Sequence, residues 1–172
     1  MSAVAALFTC TDSAYAGMAD CFDVVRDART FDLSMPVVAH PPCRAWCNLS
    51  HFAKPRADER DLAWWSMHVV RHCGGVLEHP ITSKLWREAG CGTPGVRDRF
   101  GGVLVTVLQR WFGHRSPKAT GLYIVGADVP ELPDVHRVVA NSISVQNMSQ
   151  AGRMRTPPEL AAWLVSVARA AA

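Results

Sequence analysis

The chain has 172 residues, 49% hydrophobic and 19% charged, with a net charge of +3. That balance fits a globular domain with a real core and excludes a chain disordered over most of its length. The mild basic excess permits a nucleic-acid partner without the basic stripe of a dedicated binder, and no apolar run approaches the ~20 residues that span a bilayer.

The first residues lack the basic leader of a signal peptide, so a cytoplasmic protein is expected. Its six cysteines then read as free thiols, most of them packing residues. In chain order, residues 4–10 read as a short strand, 11–20 as a small polar loop containing Gly17, and 21–26 as a second strand. Residues 36–39 read as a buried strand that must end at Pro41-Pro42, which cannot continue a ladder. A helix is expected over 59–73, with Asp58 as its cap and Gly74 just past its end. Leu62, Trp65, Val69 and Cys73 fall on one face of it. Residues 75–80 form another buried strand and 82–88 a short helix. Strands over 102–111 and 121–126 are joined by a polar turn over 113–119, too short for a crossover helix, so this late pair is antiparallel. Residues 130–155 carry no pattern and read as an irregular loop region. Thr156-Pro157-Pro158-Glu159 has the form of a capping box opening a last helix, with Leu160, Trp163, Leu164 and Val167 as its buried stripe. The alternation predicts one α/β domain over 1–172: a Rossmann-like, mainly parallel sheet flanked by helices, with a late antiparallel strand pair.

Cys43 stands at the mouth of a buried strand, where α/β enzymes place their chemistry. A thiolate is a strong nucleophile, but its pKa must be lowered to use it, and His40, Arg44 and nearby amides are the groups at hand. The plainer alternative is a buried thiol in a turn. Glu78 ends an apolar strand, where a carboxylate is costly unless partnered. It either meets a substrate ring as an acid or hydrogen-bond group, or ties down a loop. Arg110, His114, Arg115 and Lys118, interleaved with Trp111 and Phe112, suit phosphate contacts and base stacking, with Arg153 and Arg155 as an extension; the alternative is a solvated turn. Cys43, Cys47 and His51 share one face if the turn after Cys43 is helical, with His40, Cys73 or His79 as a fourth ligand. Paired Cys-x2-Cys knuckles are absent, so zinc stands as an alternative and no residue is assigned to a metal.

Pro41-Pro42-Cys43 after an apolar strand resembles the Pro-Pro-Cys motif of the DNA cytosine-5 methyltransferases. Val76-Leu77-Glu78-His79-Pro80 resembles their Glu-Asn-Val strand, and Gln109-Arg110 with the basic turn to Lys118 resembles their later arginine motif. The pattern is similar also to that of small phage and prophage proteins. The resemblance implies that Cys43 attacks C6 of a flipped-out pyrimidine and that Glu78 contacts the ring edge, with His40 beside them. It implies that Arg44, Arg110, His114, Arg115 and Lys118 hold nucleic-acid phosphate or the catalytic loop. It implies S-adenosyl-L-methionine as cofactor, with Phe8, Asp12 and Asp27 where its contacts would fall. The family's glycine turn is replaced here by Leu7-Phe8-Thr9-Cys10-Thr11-Asp12-Ser13. The expected function is modification of a pyrimidine base, with DNA or a pyrimidine nucleotide as partner. The alternatives are a non-enzymatic phage module binding nucleic acid or a host defence protein, and a zinc protein.

Overall fold

Short runs of small and branched apolar residues make the first and third strands, each buried on both faces as parallel strands require, while the second lies at the sheet edge and is partly exposed. In the computed structural model, which describes residues 3–48, 50–133 and 142–172, β1 is Ala5–Leu7, β2 is Asp20–Phe22 and β3 is Val37–Ala39. A single 3-10 turn, Arg44–Trp46, follows β3, then α1 (Ser50–Ala53) and α2 (Glu59–Cys73). β4 (Gly75–Pro80) and α3 (Lys84–Glu88) come next. β5 is Val103–Leu108 and β6 is Ala119–Val125. The chain ends in α4 (Gln150–Met154) and α5 (Pro158–Ala170).

The strands form one six-stranded sheet in the order β2-β1-β3-β4-β6-β5. β1 pairs parallel with β2 and β3, and β3 parallel with β4, whereas β6 is antiparallel to both β4 and β5. β5 therefore runs with β4, and β6 is the one reversed strand. The α/β class, the mainly parallel sheet and the late antiparallel pair are as the sequence predicts. Gly75 lets β4 approach β3: it holds φ +113°, and a Cβ there would lie 2.0 Å from the Val37 carbonyl oxygen. α2 packs on one face of the sheet through Ala63, Met67 and Val70. α5 packs on the other through Leu160, Leu164 and Val167. From β1 the chain steps outward to β2, then returns past β1 to β3. The carboxyl ends of β1 and β3 thus flank a topological switch point, where ligands of open α/β sheets bind.

Several boundaries differ from the sequence reading, each for a local reason. β1 stops at Leu7 because Phe8 turns to φ +61°. β2 ends at Phe22 because the Asp23 carboxylate accepts the amides of Val25 and Arg26 and turns the chain, leaving Val24 and Val25 exposed. Asp58 does not cap α2 with its side chain: its backbone is already helical, and its carboxylate meets Arg56 at 3.2 Å. The buried stripe of α2 includes Leu62 and Val69 but is carried also by Ala63, Met67 and Val70, while Trp65 and Cys73 are only partly buried. The Thr156 capping box does not form. Pro157 occupies the cap, so Thr156 lies one residue too early and Glu159 one turn position short. The 102–111 strand breaks at Leu108, and Gln109–Phe112 forms a 3-10 turn. The 130–155 region holds a 3-10 turn, Val145–Asn147, and α4; its residues 134–141 lie outside the described residues.

Candidate functional site at the carboxyl ends of β3 and β4

Residues alternate across a strand, so Glu78 lies on the same face as Val76, toward α5, while His79 lies on the α2 face. The register of β4 with β6 sets Glu78 opposite Leu122 and Pro80 opposite Thr120. His40 continues β3 beside it, its amide bonded to the Leu7 carbonyl of β1 at 3.1 Å. These backbone positions bring five side chains into one line. The Tyr15 hydroxyl lies 2.7 Å from His40 Nε2, and His40 Nδ1 lies 3.1 Å from Glu78 Oε2. Gln109 Nε2 donates to Glu78 Oε1 at 3.1 Å and to Thr120 Oγ1 at 3.0 Å. An ionised carboxylate only accepts, so Nδ1 carries a hydrogen toward Glu78, and in the neutral ring Nε2 accepts the Tyr15 hydroxyl hydrogen.

The His40 and Glu78 side chains are each 13% exposed, so the pair is shielded but reachable. Burial pushes the Glu78 carboxyl up, yet the His40 hydrogen bond and field, with Lys118 and His79 behind them, outweigh it and hold the group well below the usual carboxylate range. Tyr15 is pushed well above the ordinary phenol value by burial, then by the fields of Glu78 and Cys21, and keeps its proton.

The turn that carries Cys43 is pinned by His79. His79 Nε2 donates to the Pro42 carbonyl at 3.4 Å, and the Ser83 hydroxyl donates to Nδ1 at 2.7 Å while its oxygen caps α3 by accepting from Leu85 N at 3.1 Å. Burial depresses the pKa of His79 to about 4, so it is neutral near pH 7. The Cys43 thiol is half-shielded and faces the same carboxylate. Burial first, then the fields of Glu78 and Cys47, push its pKa up, while Lys118 and a backbone amide pull the other way. The expectation that neighbours lower the Cys43 pKa is thus reversed: the resting group is a thiol beside a carboxylate.

The predicted basic residues do not form one solvated patch. Lys118 belongs to the site. It holds φ +37°, its carbonyl accepts from Gln109 N at 3.2 Å and Thr120 Oγ1 at 3.1 Å, and its charge acts on both Cys43 and Glu78. Left-handed backbone at a lysine is strained and held only by such surroundings. Arg44 turns away to form an ion pair with buried Glu59. Arg110 Nη2 donates to Ser142 Oγ at 2.5 Å. His114 is buried, with Nδ1 accepting from Ser116 N at 3.0 Å. Arg115 is exposed, and its carbonyl accepts from Ile143 N.

The three residues expected at the cofactor are bound elsewhere. Phe8 packs edge-on against Trp65, Asp12 pairs with Arg155 at 2.5 Å, and Asp27 caps a 3-10 turn and pairs with Arg29 at 2.6 Å. The segment after β1 forms turns with no helix whose amino end would receive a charged ligand. These residues do not fit S-adenosylmethionine, and no step is assigned to it. The zinc alternative also lacks its assembly: Cys43, Cys47 and His51 form no metal-ligating group among the described residues, the Cys47 thiol meets the Arg44 carbonyl at 3.2 Å, and His51 lies against Phe52. Two cavities lie elsewhere. One of about 600 Å³ is lined by His114, Arg115, Met148 and Arg155, and one of about 770 Å³ by Arg97, Phe100, Val125 and Ala170.

Tyr15, Gln109, Thr120 and Ser83 complete the site without having been singled out by sequence roles. Gln109 had a readable signal, a polar residue ending the apolar run Val103-Leu104-Val105-Thr106-Val107-Leu108. Tyr15 had none beyond being the aromatic residue in a loop of small ones. No family model matches this sequence, and no curated protein matches it.

Proposed function

We propose that this chain binds a pyrimidine base, in DNA or as a nucleotide, at the carboxyl ends of β3 and β4, and adds the Cys43 thiol to C6 of the ring. One observation carries the reading: three segments remote in sequence, ending at Cys43, Glu78 and Gln109 to Lys118, meet around the Glu78 carboxylate. These are the segments on which the methyltransferase resemblance rests.

The chemistry is thiol addition and its reversal. Cys43 gives its proton to solvent base, and the sulfur forms a bond to C6. The C5=C6 π electrons move toward the group on C4, and C5 takes a proton from water. Loss of the other C5 hydrogen and cleavage of the C–S bond restore the ring and the thiol. The net result is exchange of the C5 hydrogen with water, with no co-reactant consumed. Lys118 is the cation whose field favours the thiolate. Six free cysteines and a nucleotide substrate go with a cytoplasmic setting, and among the described residues no helix is long and apolar enough to cross a membrane.

The test is tritium release from a DNA strand labelled at C5 of its cytosines and deoxyuridines. The full chain releases label above background, and Cys43→Ala does not. Release that is unchanged in Cys43→Ala, or absent from both, contradicts ring addition. A second reading, a binding module without chemistry, is favoured by the raised pKa of Cys43. It predicts equal binding of labelled DNA by both proteins with release by neither.

A further inference from the structure

The directions of the hydrogen bonds around Glu78 determine which ring edge the site can read. Glu78 Oε2 faces the hydrogen on His40 Nδ1, and Oε1 accepts from Gln109 Nε2. The second Gln109 amide hydrogen goes to Thr120 Oγ1, whose own hydrogen is committed to the Lys118 carbonyl. Both amide hydrogens are used, and a flipped amide would set its oxygen against the carboxylate, so the orientation of Gln109 is fixed. Gln109 is 1% exposed, and its Oε1 is left buried with no donor. A buried acceptor without a partner is costly and calls for an N–H or O–H from outside the network. What the site offers a ligand is therefore an acceptor: the remaining lone pairs of the Glu78 carboxylate, whose side chain is partly exposed.

The two pyrimidine classes differ at the matching edge. Cytosine presents a 4-amino donor beside a lone pair at N3, so a carboxylate that accepts from the amino group is repelled at N3. Thiol addition to cytosine also calls for a proton at N3, which an acceptor-only site does not supply. A uracil-type ring presents N3–H, and on addition its C4 oxygen takes up the charge as an enolate. We propose, resting on the pyrimidine reading above, that the substrate ring is of the uracil type, with its N3–H held by the Glu78 carboxylate, which His40 and Gln109 keep in its accepting form. The low pKa of Glu78 keeps this acceptor set in place across neutral pH, and Lys118 supplies a positive field for the enolate.

The experiment compares tritium release from dUMP and from dCMP, each labelled at C5, by the full chain and by Glu78→Gln. Wild type is expected to favour dUMP by about tenfold or more, as a site built to hydrogen-bond one edge rejects the other. Glu78→Gln, whose amide can donate to a cytosine N3, is expected to lose that preference. Binding of the two unlabelled nucleotides to Cys43→Ala, read by thermal shift, gives the same ranking without chemistry. Equal or faster release from dCMP by wild type overturns the uracil assignment and leaves the pyrimidine site standing. Release from neither nucleotide nor from the labelled DNA strand, with no shift of Cys43→Ala by either nucleotide, overturns both. The wild-type ranking decides the matter even if Glu78→Gln does not fold.

Discussion

Two buried polar clusters lie on opposite faces of the same strand pair, β4 and β6, and they differ in what they leave open. On the α2 face, Tyr123 OH donates to Asp98 Oδ2 at 2.7 Å, and Arg71 reaches the Tyr123 oxygen at 3.2 Å and the Ala89 carbonyl at 2.7 Å. Asp98 Oδ1 accepts from the amides of Phe100 and Gly102, and the Arg71 guanidinium lies 3.7 Å from the centre of the Phe100 ring. These contacts close on one another and tie the 91–102 loop to α2 and the sheet. On the α5 face, the Tyr15, His40, Glu78 and Gln109 line ends in an unpaired amide oxygen and stands beside a thiol and a strained lysine. A cluster whose valences are closed holds the fold. One that leaves, among the described residues, a buried acceptor unpaired beside a thiol and a half-buried lysine has capacity left for a ligand.

The comparison breaks if the two clusters respond alike to substitution. The largest separation is expected from Cys43→Ala, which abolishes C5 exchange while changing the stability measured in urea by no more than about 1 kcal/mol. Asp98→Ala does the opposite. It strands Arg71 in a site where that side chain is only 11% exposed, and removing one partner of a buried pair costs about 3–5 kcal/mol. Its exchange rate, measured at a temperature where the protein stays folded, remains near wild type.

Acid provides a third probe. The folded-state pKa of His79 is about 4 against an ordinary value of 6.5, so between those limits the unfolded chain binds more protons and stability falls as the pH is lowered. The loss amounts to about 3 kcal/mol. The carboxyl of Glu78, depressed in its turn, extends the decline from about 4.5 downward. Urea midpoints from pH 7 to 4 show this fall in wild type, and it flattens in His79→Gln. The smallest effect belongs to Tyr15→Phe, which keeps the ring packing and removes one hydrogen bond at a cost of about 1 kcal/mol. Because that bond orients His40, C5 exchange slows more than stability alone explains.

The sequence carried the order of the elements well, because strand-ending prolines and the spacing of α2 and α5 are local signals. Pro41-Pro42 and Pro80 stop strands where they should. The boundaries that moved depend on single conformations, such as Phe8 in left-handed backbone and the Asp23 side chain folding over the next amides. Of the site, Cys43, Glu78 and His40 were readable because each stands at or just after a strand end. Tyr15 was not, since its approach to His40 is set by how the loop after β1 folds back. The protonation of Cys43 was not readable either: it follows from burial beside Glu78, and both belong to the assembled sheet. Arg44 looked like a partner for Cys43 because it is adjacent in sequence, yet buried Glu59 claims it.

The most direct measurement is covalent trapping by 5-nitro-dUMP, whose ring keeps the uracil N3–H and is made more electrophilic at C6 by the nitro group on C5. It uses the full chain and peptide mass spectrometry. The account predicts one adduct per chain, on the peptide that contains Cys43, and none in Cys43→Ala. An adduct on exposed Cys10 instead of Cys43, or no adduct at any cysteine, would contradict it.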